Sequence, residues 1–223
     1  MLFRSLGLPI ADFYESLKII PVAMKKSDLM HKYRHLQDSW ERIFSTYGEP
    51  SQPLPLREVL LFGVAECDRA KRFPLLLERG DMALAGKFMY LSHDGDRVTL
   101  WENQHSSPYR SPFDDAYLDH LSDKSRSLPT PESSFLAWHP GGYRCSIPEL
   151  DRIVDSCKTL DGVLGAGLTG AGLGGAILAL VRSEASDRVI ENLKQVIALW
   201  NRDEPWVERC HPVAGASVIE WLK

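Results

Sequence analysis

Cysteine is scarce, and none of it is paired in sequence. Cys67, Cys145, Cys157 and Cys210 form no CxxC pair and fit no zinc spacing. That excludes a disulfide-stapled scaffold and fits buried or free thiols in a reducing cytosol. Long apolar runs are missing too. The longest, Ala176 to Val181, falls far short of the roughly 20 residues a membrane span requires. There is no basic excess either: 26 Lys and Arg stand against 30 Asp and Glu, a net charge of -4 and a pI of about 6.0. This argues against a nucleic-acid partner. It does not argue against a nucleotide, whose phosphates backbone N–H groups and magnesium can hold. The opening MLFRSLGLPIADFYE has a short apolar stretch broken by acids and does not read as a signal peptide. A cytoplasmic location is expected.

What remains is a chain of 223 residues, 44% hydrophobic and 25% charged, long enough to bury a sizeable core. Helical spacing runs through residues 9 to 46, with Phe13, Leu17 and Ile20 on one stripe and Leu36, Trp40 and Phe44 on another. Pro21 interrupts it, so two or three helices are expected, followed by a loop at GEPSQPLPL, residues 48 to 56. Residues 57 to 79 read as one helix with Leu60, Val64, Cys67 and Leu75 to Leu77 on its apolar stripe. Pro74 is expected to kink or end it, with Gly80 as C-cap. Asp81 caps a shorter helix to about Leu91. Residues 99 to 142 are rich in Ser, Pro, His and Asp and have poor periodicity. They read as a partly irregular insertion whose aromatics fold onto the body.

From Ser146 the pattern sharpens. Ser146 and Glu149 read as a capping box, with Pro148 in the first turn of a helix to about Leu160. Val163 to Leu168 and Ala176 to Val181 suit strands. Residues 184 to 200 are amphipathic through Val189, Leu193, Val196, Ile197 and Trp200. Trp206 to Cys210 reads as a further strand, and Val218 to Leu222 is a last apolar segment. The order of helix, strand, glycine loop, strand, helix, strand predicts an α+β layer, with helices on one face of a mostly antiparallel sheet. Two parts are expected: an N-terminal helical segment, 1–56, and a domain over 57–223 carrying the insertion at about 99–142.

Between the two strands lie six glycines, at 165, 167, 170, 172, 174 and 175. Glycine loses the most backbone freedom on folding, so such a cluster needs positive φ angles or a close approach. Phosphate is a common reason, because bare N–H groups can then point at oxygens. A dinucleotide-binding turn matches GxGxxG, but a helix should follow, and AILALV follows instead with 48 residues left in the chain. A P-loop is excluded, since no Gly-Lys-Ser/Thr follows. A tight hairpin beside an active site and a purely structural hairpin remain on equal terms. Elsewhere, His31 and His35 have a metal-compatible spacing without an HExxH glutamate and read as solvated helix histidines. Asp94-Gly95-Asp96 reads as a turn rather than a calcium loop. Ser92, His93 and Asp94 are too close in sequence for a hydrolase triad. Lys25-Lys26 and Arg69 to Arg72 read as solvated faces.

The segment Leu168-Thr169-Gly170-Ala171-Gly172-Leu173-Gly174-Gly175 resembles the third motif of the GHMP kinases. Ile147-Pro148-Glu149-Leu150-Asp151 resembles the CPELD segment of the galactokinase branch, and Gly162 to Ala166 its GVLGAR approach. Val207 to Ala216 resembles its closing strand. Gly86-Lys87-Phe88-Met89 with Ser92-His93 resembles G-x-L-M-x-x-S-H, and Ala65-Glu66-Cys67 lies where that family has its R-A-x-x-E helix. The resemblance covers about residues 57 to 98 and 143 to 218.

The resemblance implies a ferredoxin-like two-layer C-terminal domain of an ATP- and magnesium-dependent galactokinase-like sugar kinase. In it Thr169, Gly170, Ala171, Gly172, Leu173, Gly174 and Gly175 border the nucleotide-phosphate loop, and Ser92, His93 and Asp94 are supporting candidates. The sugar segment, the phosphate loop and the catalytic aspartate of that family belong to an N-terminal half, and no GLSSSA-like or PGRVNLIGEH-like stretch occurs here. No catalytic or metal residue is therefore carried over, and the expected partners are that half, ATP and a monosaccharide. Gly167 replaces the family's usual Arg or Lys, Ala176 its Cys, and no Tyr-x-x-Arg-Arg segment matches. A non-catalytic binding or regulatory module is the alternative.

Overall fold

A computed structural model describes residues 8–102, 105–170, 175–199 and 206–211. Helix α1 spans Ile10–Ile19, α2 Lys26–Lys32 and α3 Gln37–Tyr47. Two short strands, β1 Ala23–Met24 and β2 Leu54–Pro55, pair antiparallel and draw the proline-rich connection back onto α1. Pro21 does break the helical run, as expected.

Helix α4 (Leu56–Glu78) carries Pro74 in its interior without ending there. It stops at Gly80, whose φ of 73° lets its N–H reach the Leu77 carbonyl while Asp81 N–H reaches Leu76. This is a Schellman closure. Asp81 then accepts from Leu84 N–H at 3.1 Å and starts α5 (Met82–Asp96), which runs five residues past the expected end at Leu91. Asp94-Gly95-Asp96 is therefore the last turn of a helix, not a free turn.

The buried stripe of α4 is offset from the one expected. Leu60, Leu75 and Leu77 are exposed, as is Cys67, while Arg57, Glu58, Leu61, Ala65 and Arg69 are buried. Charged side chains on the inner face hide the apolar periodicity. Arg57 donates to the Lys18 and Ile20 carbonyls at the end of α1, each at 3.0 Å, and to Asp115 at 2.6 Å. Arg69, far from solvated, donates to the Ala137 and His139 carbonyls and pairs with Glu66. A buried guanidinium is tolerable when its fork is filled in this way.

Residues 99 to 142 hold more regular structure than their composition suggests. Strands β3 (Thr99–Glu102) and β4 (His105–Pro108) form an antiparallel ladder, and α6 (Asp115–Arg126) is capped by Asp114, which accepts from Tyr117 N–H. Leu118 and Leu121 of α6 join Phe13, Tyr14 and Leu17 of α1 and Leu61 of α4 in one buried cluster. Against its rim Tyr14 donates to the Ser134 carbonyl at 2.6 Å, and Tyr117 Oη meets His139 Nδ1 at 2.8 Å.

The second cluster belongs to the C-terminal part. Helix α7 spans Pro148–Thr159, with Ile147 as N-cap and Pro148 at the first helical position. Ser146 thus sits one residue too early to cap, which corrects the capping-box reading; proline's fixed φ sets the start instead. Strands β5 (Val163–Thr169) and β6 (Ala176–Val181) pair antiparallel from Val163↔Val181 to Thr169↔Ala176. Helix α8 spans Ser186–Ala198. Val154 and Cys157 of α7, Ala166 of β5, and Val189 and Leu193 of α8 form the cluster, with Ile177, Ala179 and Val181 against it. Trp206 to Cys210 forms no strand, contrary to expectation, although Val207 packs on this cluster. Trp200 and Val218 to Leu222 lie outside the described residues. All three sheets are two-stranded and antiparallel among the described residues, an α+β arrangement.

Burial of the His139 imidazole depresses its pKa from 6.5 to about 4, so the folded state keeps it neutral. The unfolded chain binds a proton there first. This contribution to stability is therefore full above pH 6.5 and is lost as pH falls from 6.5 toward 4, amounting to up to about 3 kcal/mol. Urea unfolding across that range, compared between the protein and His139→Gln, should show this extra acid sensitivity only with the histidine present.

Candidate functional site

The β5–β6 hairpin is the centre of the site, and its glycines do two different jobs. Side chains alternate across a strand. Ala166 faces the α7–α8 cluster, so Gly165 and Gly167 face the other way, onto α5. A Cβ at Gly86 of α5 would overlap the Leu164 carbonyl, and one at Gly165 would overlap the backbone of Gly86. At Gly167 a Cβ would stand 2.9 Å from the Met89 carbonyl and 3.6 Å from His93 Cβ. Glycine here permits a helix and a strand to touch backbone to backbone. Helices consequently pack on both faces of β5, rather than on one face of the sheet as expected.

At the open end the requirement changes. Gly170 (φ 89°) and Gly175 (φ 109°) occupy the left-handed region, and a Cβ at Gly170 would meet nothing within 4 Å. Thr169, Gly170 and Gly175 are exposed there. Ala171, Gly172, Leu173 and Gly174 lie outside the described residues.

Beneath the hairpin, α5 and α7 are joined by two polar rungs at matching i, i+4 spacing. His93 Nε2 faces Asp151 Oδ1 at 3.2 Å, both side chains fully buried. One turn on, Arg97 grips Asp155 with both terminal nitrogens, at 2.9 and 2.7 Å. Asp151 Oδ2 also accepts from Val98 and Thr99 N–H at 2.9 and 2.8 Å, and Asp155 Oδ2 from Trp101 N–H at 2.9 Å. Burial opposes ionisation of Asp151, but the neighbouring His93 and donation from Ser146 and the two amides outweigh it and hold its carboxyl below the usual range.

Of the supporting candidates, all three lie on α5. Ser92 is half-buried, His93 forms the first rung, and Asp94 pairs with Arg97 at 2.9 Å and Lys158 at 3.4 Å. His93 is brought beside Gly167, two residues short of Thr169. Asp151, Asp155, Arg97 and the buried Glu58, which pairs with Arg144, were not singled out from sequence as site residues. The i, i+4 repeat of His93/Arg97 and Asp151/Asp155 was the available signal. His31 ends α2 and His35 sits in the separate 3-10 turn Arg34–Leu36, both exposed, so they do not share a helix face. Lys26 is paired with Glu49 and lies over the Phe44 ring rather than being free. A cavity of about 360 Å³ opens at the far end of the hairpin from the glycine turn. Its two arginines, Arg182 and Arg188, are offset by Asp161 and Glu184.

Comparison with known proteins agrees with this geometry. Residues 131–198, which contain α7, the hairpin and α8, match the family model of the GHMP kinases C terminal. The galactokinase of Streptomyces coelicolor is 38% identical over 74 residues, 33% of this chain and 19% of that protein. The galactokinase of Bos taurus is 36% identical over 53 residues, 24% of this chain and 14% of that protein. That of Mycobacterium tuberculosis is 38% identical over 75 residues, 34% of this chain and 20% of that protein. No solved structure matches. The chain spans about a fifth or less of the length of these curated relatives.

Residues 131–198 are thus similar to the C-terminal domain of the GHMP kinases. The matched relatives reported above are galactokinases, so the similarity is to that branch.

Adding a methyl group should separate the two glycine roles. Gly165→Ala forces α5 and β5 apart and should cost about 3 kcal/mol or more, at the upper end for overpacking. Gly170→Ala meets no atom and should cost only about 1–2 kcal/mol, from its left-handed backbone. Urea midpoints at unchanged m-value read the difference.

Proposed function

We propose that this chain is the C-terminal part of an ATP-dependent galactokinase-like sugar kinase with a ferredoxin-like core, and that it does not transfer a phosphoryl group alone. The observation that carries the reading is the antiparallel hairpin bent at Thr169 to Gly175 inside the matched region. In this role residues 169 to 175 flank the phosphates of ATP and buttress the neighbouring phosphate loop of an N-terminal half. Ser92, His93 and Asp94 support the hairpin from below.

The exposed Thr169, Gly170 and Gly175 fit a phosphate, since a threonine hydroxyl and bare N–H groups can donate to its oxygens. Among the described residues no cluster of three His, Cys, Asp or Glu side chains could hold a metal ion. In this reading the ion, the catalytic aspartate and most of the positioning that phosphoryl transfer needs come from the N-terminal half. Strand β6 supplies a surface for it. Ala176 is exposed, Leu178 is 55% exposed, and no charged residue interrupts the strand. An apolar face of this kind is what a docked partner would cover. Among the described residues no helix is long and apolar enough to cross a membrane, and the four cysteines are free thiols. Both fit the cytoplasmic location proposed here.

One observation favours the alternative of a non-catalytic module. At Gly167 the α5 backbone occupies the space where a cation's side chain would start.

The chain alone should show no ADP release with ATP, magnesium and a monosaccharide panel. Mixed with the N-terminal half of a galactokinase, it should restore turnover on at least one sugar. Turnover by the chain alone would sink the two-halves reading. Stable association without ADP release would favour the non-catalytic module.

A further inference from the structure

His93 is fully buried, yet neither ring nitrogen makes an aligned hydrogen bond among the described residues. Asp151 Oδ1, 3.2 Å from Nε2, is in the same condition. A buried polar atom left in this way costs free energy and calls for an explanation. The carboxylate cannot turn to improve the contact, because its other oxygen is pinned by Val98 and Thr99 N–H. At its other end His93 meets β5, with its Cβ 3.6 Å from where a Cβ at Gly167 would stand, so the residue spans from the strand to Asp151. Directly above, the absence of a side chain at Gly167 leaves the Met89 carbonyl and His93 as the surfaces on which the strand rests.

We infer that His93 is a positioning residue: with its Cβ beneath Gly167 and its imidazole at Asp151, it ties the glycine hairpin to α7 and so sets the placement of the turn. Its link to phosphate rests on the function proposed above, but its mechanical role does not. The reach of the ring to a fixed carboxylate holds in place the stem beneath the strand. A side chain too short to reach Asp151 frees that stem and leaves the carboxylate without its neighbour, so β5 loosens, and Thr169, two residues along, moves with it. In this seat a proton on Nε2 lies toward Asp151 Oδ1.

The full chain tests this without any kinase assay. By amide hydrogen exchange, His93→Ala should speed exchange across Val163–Thr169 at least about tenfold while α1 and α6, in the other cluster, stay unchanged. His93→Gln, which keeps a donor of similar reach, should recover most of that protection. Nitrogen-15 spectra of the imidazole should show the Nε2–H tautomer, lost or mixed in Asp151→Asn. Equal acceleration in both clusters, or none in β5, overturns the proposal, as does an Nδ1–H tautomer. If His93→Ala does not fold, His93→Gln and the tautomer decide alone. If hydrogen exchange behaves as expected but the assembled halves never release ADP, the kinase reading fails and the positioning role stands.

Discussion

Two helices held together by buried charge set the geometry of the C-terminal part. The Arg97–Asp155 pair and the His93–Asp151 pair repeat at the same interval on α5 and α7, so they fix register as well as proximity. Buried ions are retained at a desolvation cost, and removing one partner leaves the other uncompensated. The arrangement is consequently all or nothing. The same carboxylates receive the first amides of β3, so the chain's exit from α5 is tied to the ladder too. With α5 and α7 locked, the space between them has one shape, and the hairpin must fit it.

The fit explains why glycine is spent before the turn as well as in it. Gly86, Gly165 and Gly167 form a contact in which no Cβ intervenes, which brings α5 close enough for His93 to reach under the strand. That closeness has a chemical consequence. The cation that the family resemblance places at residue 167 would have to displace α5, and with it the ladder. If phosphate charge is to be neutralised beside this turn, the positive group must come from elsewhere, which is consistent with a site completed by a second half.

Much of this was legible from sequence where local rules act alone. The hairpin, its register limits near Thr169 and Ala176, the cap at Asp81 and the stop at Gly80 all follow from glycine, aspartate and apolar runs, whose physics is short-range. The misses share a cause. The inner face of α4 escaped because Arg57 and Arg69 are buried against carbonyls 37 to 70 residues away, and no periodicity announces such partners. Ser146 was read as a cap because the pattern fits, yet Pro148 claims the first helical position and moves the cap by one. The glycine cluster could be located but not apportioned, since close approach and positive φ leave the same letter in the sequence. Helix α6 hid in a Ser- and Asp-rich stretch because few of its residues, Leu118 and Leu121 among them, carry its packing.

The helices at the other end bear on how independent the domain is. Leu118 and Leu121 pack with α1 and with Leu61, so the 99–142 stretch and the N-terminal helices share one apolar cluster through α4. Helix α4 passes to α5 through the Gly80 closure, and α5 carries the ladder. A rigid link therefore runs from the first cluster to the hairpin, made of two helices and one tight turn. Such a link can hold the turn steady from one side only. On that same side, beside α5, β6 has no charged residue and an exposed Leu178 paired with Gly167, and a partner closing the site would dock there.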